Sequence, residues 1–229
     1  PQDIINASET ILNYGFTPIP HCPARTIPDE EFFINYLDGL IKIGVIKILI
    51  IGGSISNPKG RFSSSIDLLN TGLIQQSKIK TVNIAGHPEG NPEDKNHFEN
   101  MIEKSKWLNA NNIQSNIVTQ WCLSPDITNS WINKTKSHLG KIGVKSEIHL
   151  GIAGPAKLTT ILKYAKICGV AATTSVFMKQ GLDIRKIINH NPDNILKSLM
   201  GYDKLHIYPF GGINEFLKWY INTNIKEVF

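Results

Sequence analysis

Cysteine is scarce in this 229-residue chain, and its placement excludes two classes of protein. Cys22, Cys122 and Cys168 stand far apart with no CxxC spacing, so the sequence offers neither a disulfide framework nor a zinc ribbon, and a reducing, cytoplasmic setting is expected. Long apolar runs are missing too. The richest stretch, Val45 to Ile51, is broken by Lys47 and falls well short of the roughly 18 residues that a membrane span needs. A basic block is also absent. The formal charge of +5 comes from lysines scattered through amphipathic segments, which argues against nucleic acid and suits either an anionic small molecule or a lysine-rich surface. Neither a methionine nor a signal-like apolar segment opens the chain at Pro1, and further residues are expected upstream of it.

At 41% hydrophobic and 19% charged, the chain can bury one sizeable core, and a single domain over residues 1–229 is the simplest division. Short apolar runs alternate with longer helical patterns from end to end, the pattern of repeated βα units and a parallel sheet. Strands are predicted at Thr17 to Pro20, Lys47 to Ile51, Thr81 to Ile84, Ser115 to Val118, Glu147 to Leu150 and Leu205 to Tyr208. Each is apolar and β-branched enough to be buried on both faces. Val170 to Ser175 fits either another strand or a loop. Phe32, Phe33, Tyr36, Leu37, Leu40 and Ile41 form a helical stripe, and Thr26-Ile-Pro-Asp29 ahead of it has the form of a capping box with an early proline. Phe98, Met101, Ile102, Ser105 and Leu108 make a second stripe, and Leu158, Ile161, Leu162 and Ala165 a third. The predicted fold is an α/β, TIM-type (β/α)8 barrel. Six strands fall short of eight, so its first one or two βα units, about 60 residues, are expected before Pro1.

In parallel α/β folds, the loops after the strands carry the site. Here they hold His21-Cys22, Gly52-Gly53-Ser54, His87 to Glu93, Thr119-Gln120-Trp121, Gly151 to Gly154 and Pro209 to Gly212. The string Ile84-Ala-Gly-His87-Pro-Glu-Gly-Asn-Pro-Glu93, followed by Ile117-Val-Thr-Gln120, closely resembles the two central motifs of the methylenetetrahydrofolate reductase family. Other pieces match in order. Pro20-His21 resembles the family's Pro-His-Leu-Thr-Cys strand, Ile51 to Ser54 its Leu-Arg-Gly-Asp loop, and Gly151-Ile152 its Gly-Ile-Leu-Pro turn. Leu205-His-Ile-Tyr-Pro-Phe210 is similar to its last strand, so the resemblance spans nearly the whole chain.

The resemblance implies a one-carbon oxidoreductase that binds tetrahydrofolate and interconverts its methylene and methyl forms by hydride transfer from NAD(P)H. It puts Gln120 on the glutamine that hydrogen-bonds the pterin, a role suited to an amide because it donates and accepts along one heterocycle edge. Capping of the next turn is the structural alternative for Gln120. Tyr164 falls on an aromatic position that packs against substrate or nicotinamide, or else is a core aromatic. Ser54 and Thr119 are the remaining folate candidates, and His21, Gly52, Gly53, His87 and Asn91 occupy cofactor positions.

Departures from the family concentrate around FAD. Gly52 and Ser54 replace the arginine and aspartate of the Leu-Arg-Gly-Asp loop, His87 a tyrosine beside the flavin ring, and Asn91 a histidine. The lysine that meets the flavin phosphates corresponds to about Asn109, with Lys104 and Lys106 close by. FAD held in the usual way is therefore not expected. The family's glutamate general acid belongs to a first strand that would precede Pro1. Among residues in hand, Glu89 and His87 are the pair suited to exchanging protons near a ligand, with strand capping an alternative for Glu89. A metal bound by His21, His87 and Glu89 has no known ligand spacing behind it, and no metal is expected. Gly151 to Gly154 and Gly211-Gly212 each precede a helix and suit either anion binding or ordinary turns. A folate-binding protein without redox activity is the alternative function, an unrelated barrel enzyme a third, and a homo-oligomer is left open.

Overall fold

The computed structural model describes residues 2–167, 189–190 and 192–223. Its strands are β1 (His21–Pro23), β2 (Lys47–Ile51), β3 (Thr81–Gly86), β4 (Gln114–Thr119), β5 (Ile148–Ala153), β6 (Ala156–Lys157), β7 (Asn189–His190) and β8 (Lys204–Tyr208). Six form one sheet in the order β1-β2-β3-β4-β5-β8, while β6 and β7 make a separate antiparallel pair. Parallel pairing joins β1 to β2, β2 to β3, β4 to β5 and β5 to β8. The sheet is open. This corrects the closed (β/α)8 barrel expected from the alternation: β1 and β8 are edges that do not pair with each other among the described residues. A (β/α)8 barrel closes through eight tilted strands with matched stagger, and only six are paired in this sheet. Val170 to Ser175 lies outside the described residues.

Contacts divide the chain into two compact units, Pro1–Ala85 with Ile102–Asn116 and Gly86–Met101 with Ile117–Phe229. In the first, α1 (Gln2–Asn13) meets α2 (Glu30–Lys42) where Ile5 packs over Gly39, its Cδ1 within 2.7 Å of the place a Cβ would take. The helix α2 begins at Asp29, whose carboxylate accepts from the Phe32 amide at 2.7 Å. Thr26 is not its cap. Ile27 precedes a proline and is extended, as the Pro28 ring requires, so the helix cannot start earlier. The Thr26 hydroxyl donates instead to the Pro23 carbonyl at 2.8 Å. Phe33, Tyr36, Leu37 and Leu40 are the buried residues of α2, matching the expected stripe.

β1 lies later than predicted, at His21–Pro23 instead of Thr17 to Pro20. Pro18 and Pro20 have no N–H to give a ladder, and Pro20 contributes only its carbonyl, which accepts from the Leu49 amide at 2.9 Å. β2 runs over the predicted residues. Two short helices follow, α3 (Ser65–Asn70) and α4 (Leu73–Gln76), and α5 (His97–Ala110) carries the second predicted stripe. A buried polar chain runs across the strands of this unit. Asn116 donates to Asn83 at 3.2 Å and Asn83 to the Ile48 carbonyl at 3.0 Å, so neither buried amide is left without a partner.

The second unit contains α6 (Pro125–Lys141), α7 (Leu158–Ile167) and the helix Ile213–Asn222. Trp121, Leu123, Ala153, Ala156, Ile161 and Ala165 form a buried cluster against which Tyr208 and Phe210 pack. At the other ends of β5 and β8, Glu147 joins His149 at 2.9 Å and Lys204 at 3.2 Å, and Asp203 joins Lys136 at 2.6 Å while accepting from the Ile148 amide. These ties hold the strand starts. Among the described residues no helix is long and apolar enough to cross a membrane.

Candidate functional site at the strand ends

Glu89 stands in the loop after β3 and serves the start of α6. Its Oε1 accepts from the amides of Leu123 at 2.5 Å and of Ser124, the residue that caps α6, at 2.8 Å. The carboxylate charge also suits the positive end of that 17-residue helix. Oε2 is buried and has no hydrogen-bond partner among the described residues. The side chain therefore caps a helix with one oxygen and keeps acceptor capacity on the other. Its neighbour His87 is half-buried and meets the ring of His97 edge-on, with centroids 5.8 Å apart. Asn91 closes a turn in the same loop, its Oδ1 accepting from the Glu93 amide at 3.0 Å.

The β4 end brings three consecutive residues to three different tasks. Thr119 is fully buried, and its hydroxyl accepts from the Gly151 amide at 2.7 Å, a tie between β4 and β5. Gln120 is half-buried. Its amide N–H donates to the Gly86 carbonyl at 2.7 Å and its Oε1 accepts from the Trp121 amide at 3.1 Å. That second bond is the turn-capping contact, and it leaves both Nε2 protons unused among the described residues. Trp121 is 1% exposed, and its indole N–H is buried with no hydrogen-bond partner among the described residues.

Four aromatic rings converge beside these residues. Tyr164 of α7 stacks on Phe210 at 4.2 Å and 14°, and Phe210 lies nearly parallel to Tyr208 at 5.7 Å and 15°. Trp121 meets Phe210 at 5.6 Å and 77°. Each such pair contributes about 0.5–1.5 kcal/mol beyond its area burial. The Tyr208 hydroxyl donates to the Thr119 carbonyl at 3.0 Å, and its ring lies over Gly151, where a Cβ would come within 2.8 Å of the ring and 2.1 Å of the Thr119 carbonyl oxygen. Glycine is required at 151 by that close approach. Tyr164 is among the expected ligand contacts, whereas the rings of Trp121, Tyr208 and Phe210 carry no sequence signal beyond their place at or within two residues of a strand end.

His21, Gly52, Gly53 and Ser54 belong to the first unit. Burial pushes the His21 imidazole down to about 4, so it is neutral near pH 7. Gly52 lies under Arg25, whose guanidinium comes within 3.4 Å of the place a Cβ would take. Arg25 also donates to the carbonyls of Ser63 and Ile55, both at 3.1 Å, and so pins the loop that follows β2. No sequence motif pointed to it. Gly53 has φ +95° and Ser54 is exposed. A depression is lined by Arg61, Phe62, Asp67, Asn70 and Thr71, and its charged groups are committed elsewhere. Asp67 caps α3 through Ser63 and Ser64, and Arg61 pairs with Glu30.

Burial pushes the thiols of Cys22 and Cys122 up to about 12, which suppresses the reactive thiolate of both. Among the described residues no three His, Cys, Asp or Glu side chains come together to hold a metal. The Gly211-Gly212 turn is tightly packed, since a Cβ on Gly211 would lie 2.1 Å from the Pro155 carbonyl oxygen. No family model matches the chain.

Proposed function

We propose that the chain is a methylenetetrahydrofolate reductase-like oxidoreductase that binds tetrahydrofolate at the strand ends of its second unit. The observation that carries this reading is that one unit holds both an amide with unused donors, Gln120 at the end of β4, and the stacked rings of Tyr164, Tyr208 and Phe210. A pterin offers a flat face for stacking and an edge of alternating donors and acceptors, and these groups complement both. Opening the five-membered ring of methylenetetrahydrofolate requires a proton on the departing nitrogen, and hydride from NAD(P)H then reduces the iminium carbon to methyl. Glu89, with one oxygen uncommitted, and His87 are the groups of this unit suited to moving that proton. The chain's contribution is orientation and exclusion of water, and the nicotinamide supplies the hydride.

The residues at the family's flavin positions do not fit FAD. Gly52 and Ser54 carry no charge, and the space above Gly52 is taken by Arg25. The proposed reaction therefore takes hydride directly from the nicotinamide. A non-redox folate-binding protein is the second reading, favoured by the commitment of Glu89 Oε1 to the start of α6. One assay separates them. Purified protein mixed with methylenetetrahydrofolate and NADH should consume NADH and form methyltetrahydrofolate. Tight folate binding with no NADH consumption favours the second reading, and absence of both overturns the two together.

A further inference from the structure

We propose that Phe210 occupies a stacking slot between Tyr164 and Tyr208, and that a planar nitrogen heterocycle binds by displacing it. This rests on the folate reading for the identity of the heterocycle, but not for the existence of the slot. Phe210 lies nearly parallel to both tyrosines, 4.2 Å from Tyr164 and 5.7 Å from Tyr208 by centroid. The two tyrosine rings are held by the fold. Tyr164 is fixed on α7, and Tyr208 is anchored through its hydroxyl to the Thr119 carbonyl and through its ring to Gly151. The Phe210 ring is held by packing alone, against the buried cluster and edge-on to Trp121. Phe210 follows the last residue of β8 by two, in a turn closed by its own amide on the Tyr208 carbonyl, and two glycines follow. Gly212 takes φ +91°, with open space where a Cβ would stand.

A second observation says what chemistry the slot lacks. The Trp121 ring stands against Phe210, and its indole N–H is buried without a hydrogen-bond partner among the described residues. A buried donor with no acceptor is costly, and a phenyl ring is only a weak π acceptor for it. A heterocycle bearing ring nitrogens or a carbonyl in the place of Phe210 would keep the stacking and supply the missing acceptor. Gln120, the next residue, adds its unused Nε2 donors. Phe210 is thus a stand-in that keeps the apolar slot closed to water until a ligand with the same flat shape and better hydrogen bonding arrives.

The test compares the parent chain with Phe210→Ala and Phe210→Leu by calorimetric titration with methyltetrahydrofolate, flavin mononucleotide and NADH. The leucine variant keeps apolar volume without a ring, should the alanine variant fold poorly. Removing the competing ring should tighten binding about threefold to tenfold. Tyr164→Leu should weaken it by a similar factor. Equal or weaker folate binding by both Phe210 variants, with the parent binding, overturns the slot and leaves the folate reading standing. Tighter binding of flavin mononucleotide or NADH with no folate binding supports the slot and removes the folate reading. Failure of parent and variants to bind any of the three overturns both.

Discussion

Replacing Glu89 by alanine removes the acceptor for two backbone amides at the start of α6, those of Leu123 and Ser124. Both bonds are charge-assisted and half-shielded from water, and such bonds are worth about 1.5–3 kcal/mol each when a partner is left behind. Water can reach part of the exposed turn and repay some of the loss, so the expected destabilisation of Glu89→Ala is about 2–3 kcal/mol. Glu89→Gln keeps a carbonyl oxygen for the two amides but loses the charge at the helix end, and should cost about 1 kcal/mol. Urea unfolding followed by far-ultraviolet circular dichroism gives both numbers, provided the slope with denaturant is unchanged. A loss under about 0.5 kcal/mol for the alanine variant would refute the capping role and return Glu89 to a purely ligand-facing residue.

His21 supplies a pH dependence with a definite sign. Its folded value of about 4 lies below the ordinary 6.5, so the unfolded chain binds a proton that the folded chain refuses. Stability is therefore fully present above about pH 6.5 and is lost as pH falls toward 4; His21→Asn should flatten that slope, by up to about 3 kcal/mol at pH 4, measured by urea unfolding at several pH values. Gly151→Ala places a methyl against the Thr119 carbonyl and the Tyr208 ring, and should cost more than about 3 kcal/mol or abolish soluble expression; a variant as stable as the parent contradicts the close packing at that position. Arg25→Ala frees the carbonyls of Ile55 and Ser63, so limited proteolysis should cut within residues 52–63 several times faster, while an unchanged rate means that the loop is held by other contacts.

What could be read beforehand follows from how local each signal is. Lys47 to Ile51 is a short β-branched run whose burial depends only on being in a sheet, and the strand falls there. The Phe32 to Ile41 stripe is equally local, and α2 carries it. The first strand lies later than its apolar character suggests because two residues of Thr17 to Pro20 cannot donate hydrogen bonds. Closure of the sheet is not legible for a different reason. It depends on which strands end up as edges, a non-local property to which βα alternation is blind. Glu89 and Gln120 stand out in the sequence because they follow strands. The cap that Glu89 makes on residues 34 and 35 positions further along does not, nor does the stacking of Tyr164 on Phe210, because both join segments distant in sequence.

The folate-recognising role proposed for Gln120 is tested by calorimetric titration of methyltetrahydrofolate into the parent chain and into Gln120→Leu. The Gln120 side chain makes one hydrogen bond, to its own neighbour's amide, so the substitution should leave stability within about 0.5–1 kcal/mol while weakening folate binding about tenfold or more. Equal affinity in the two proteins, or no binding heat from the parent at all, would contradict the account.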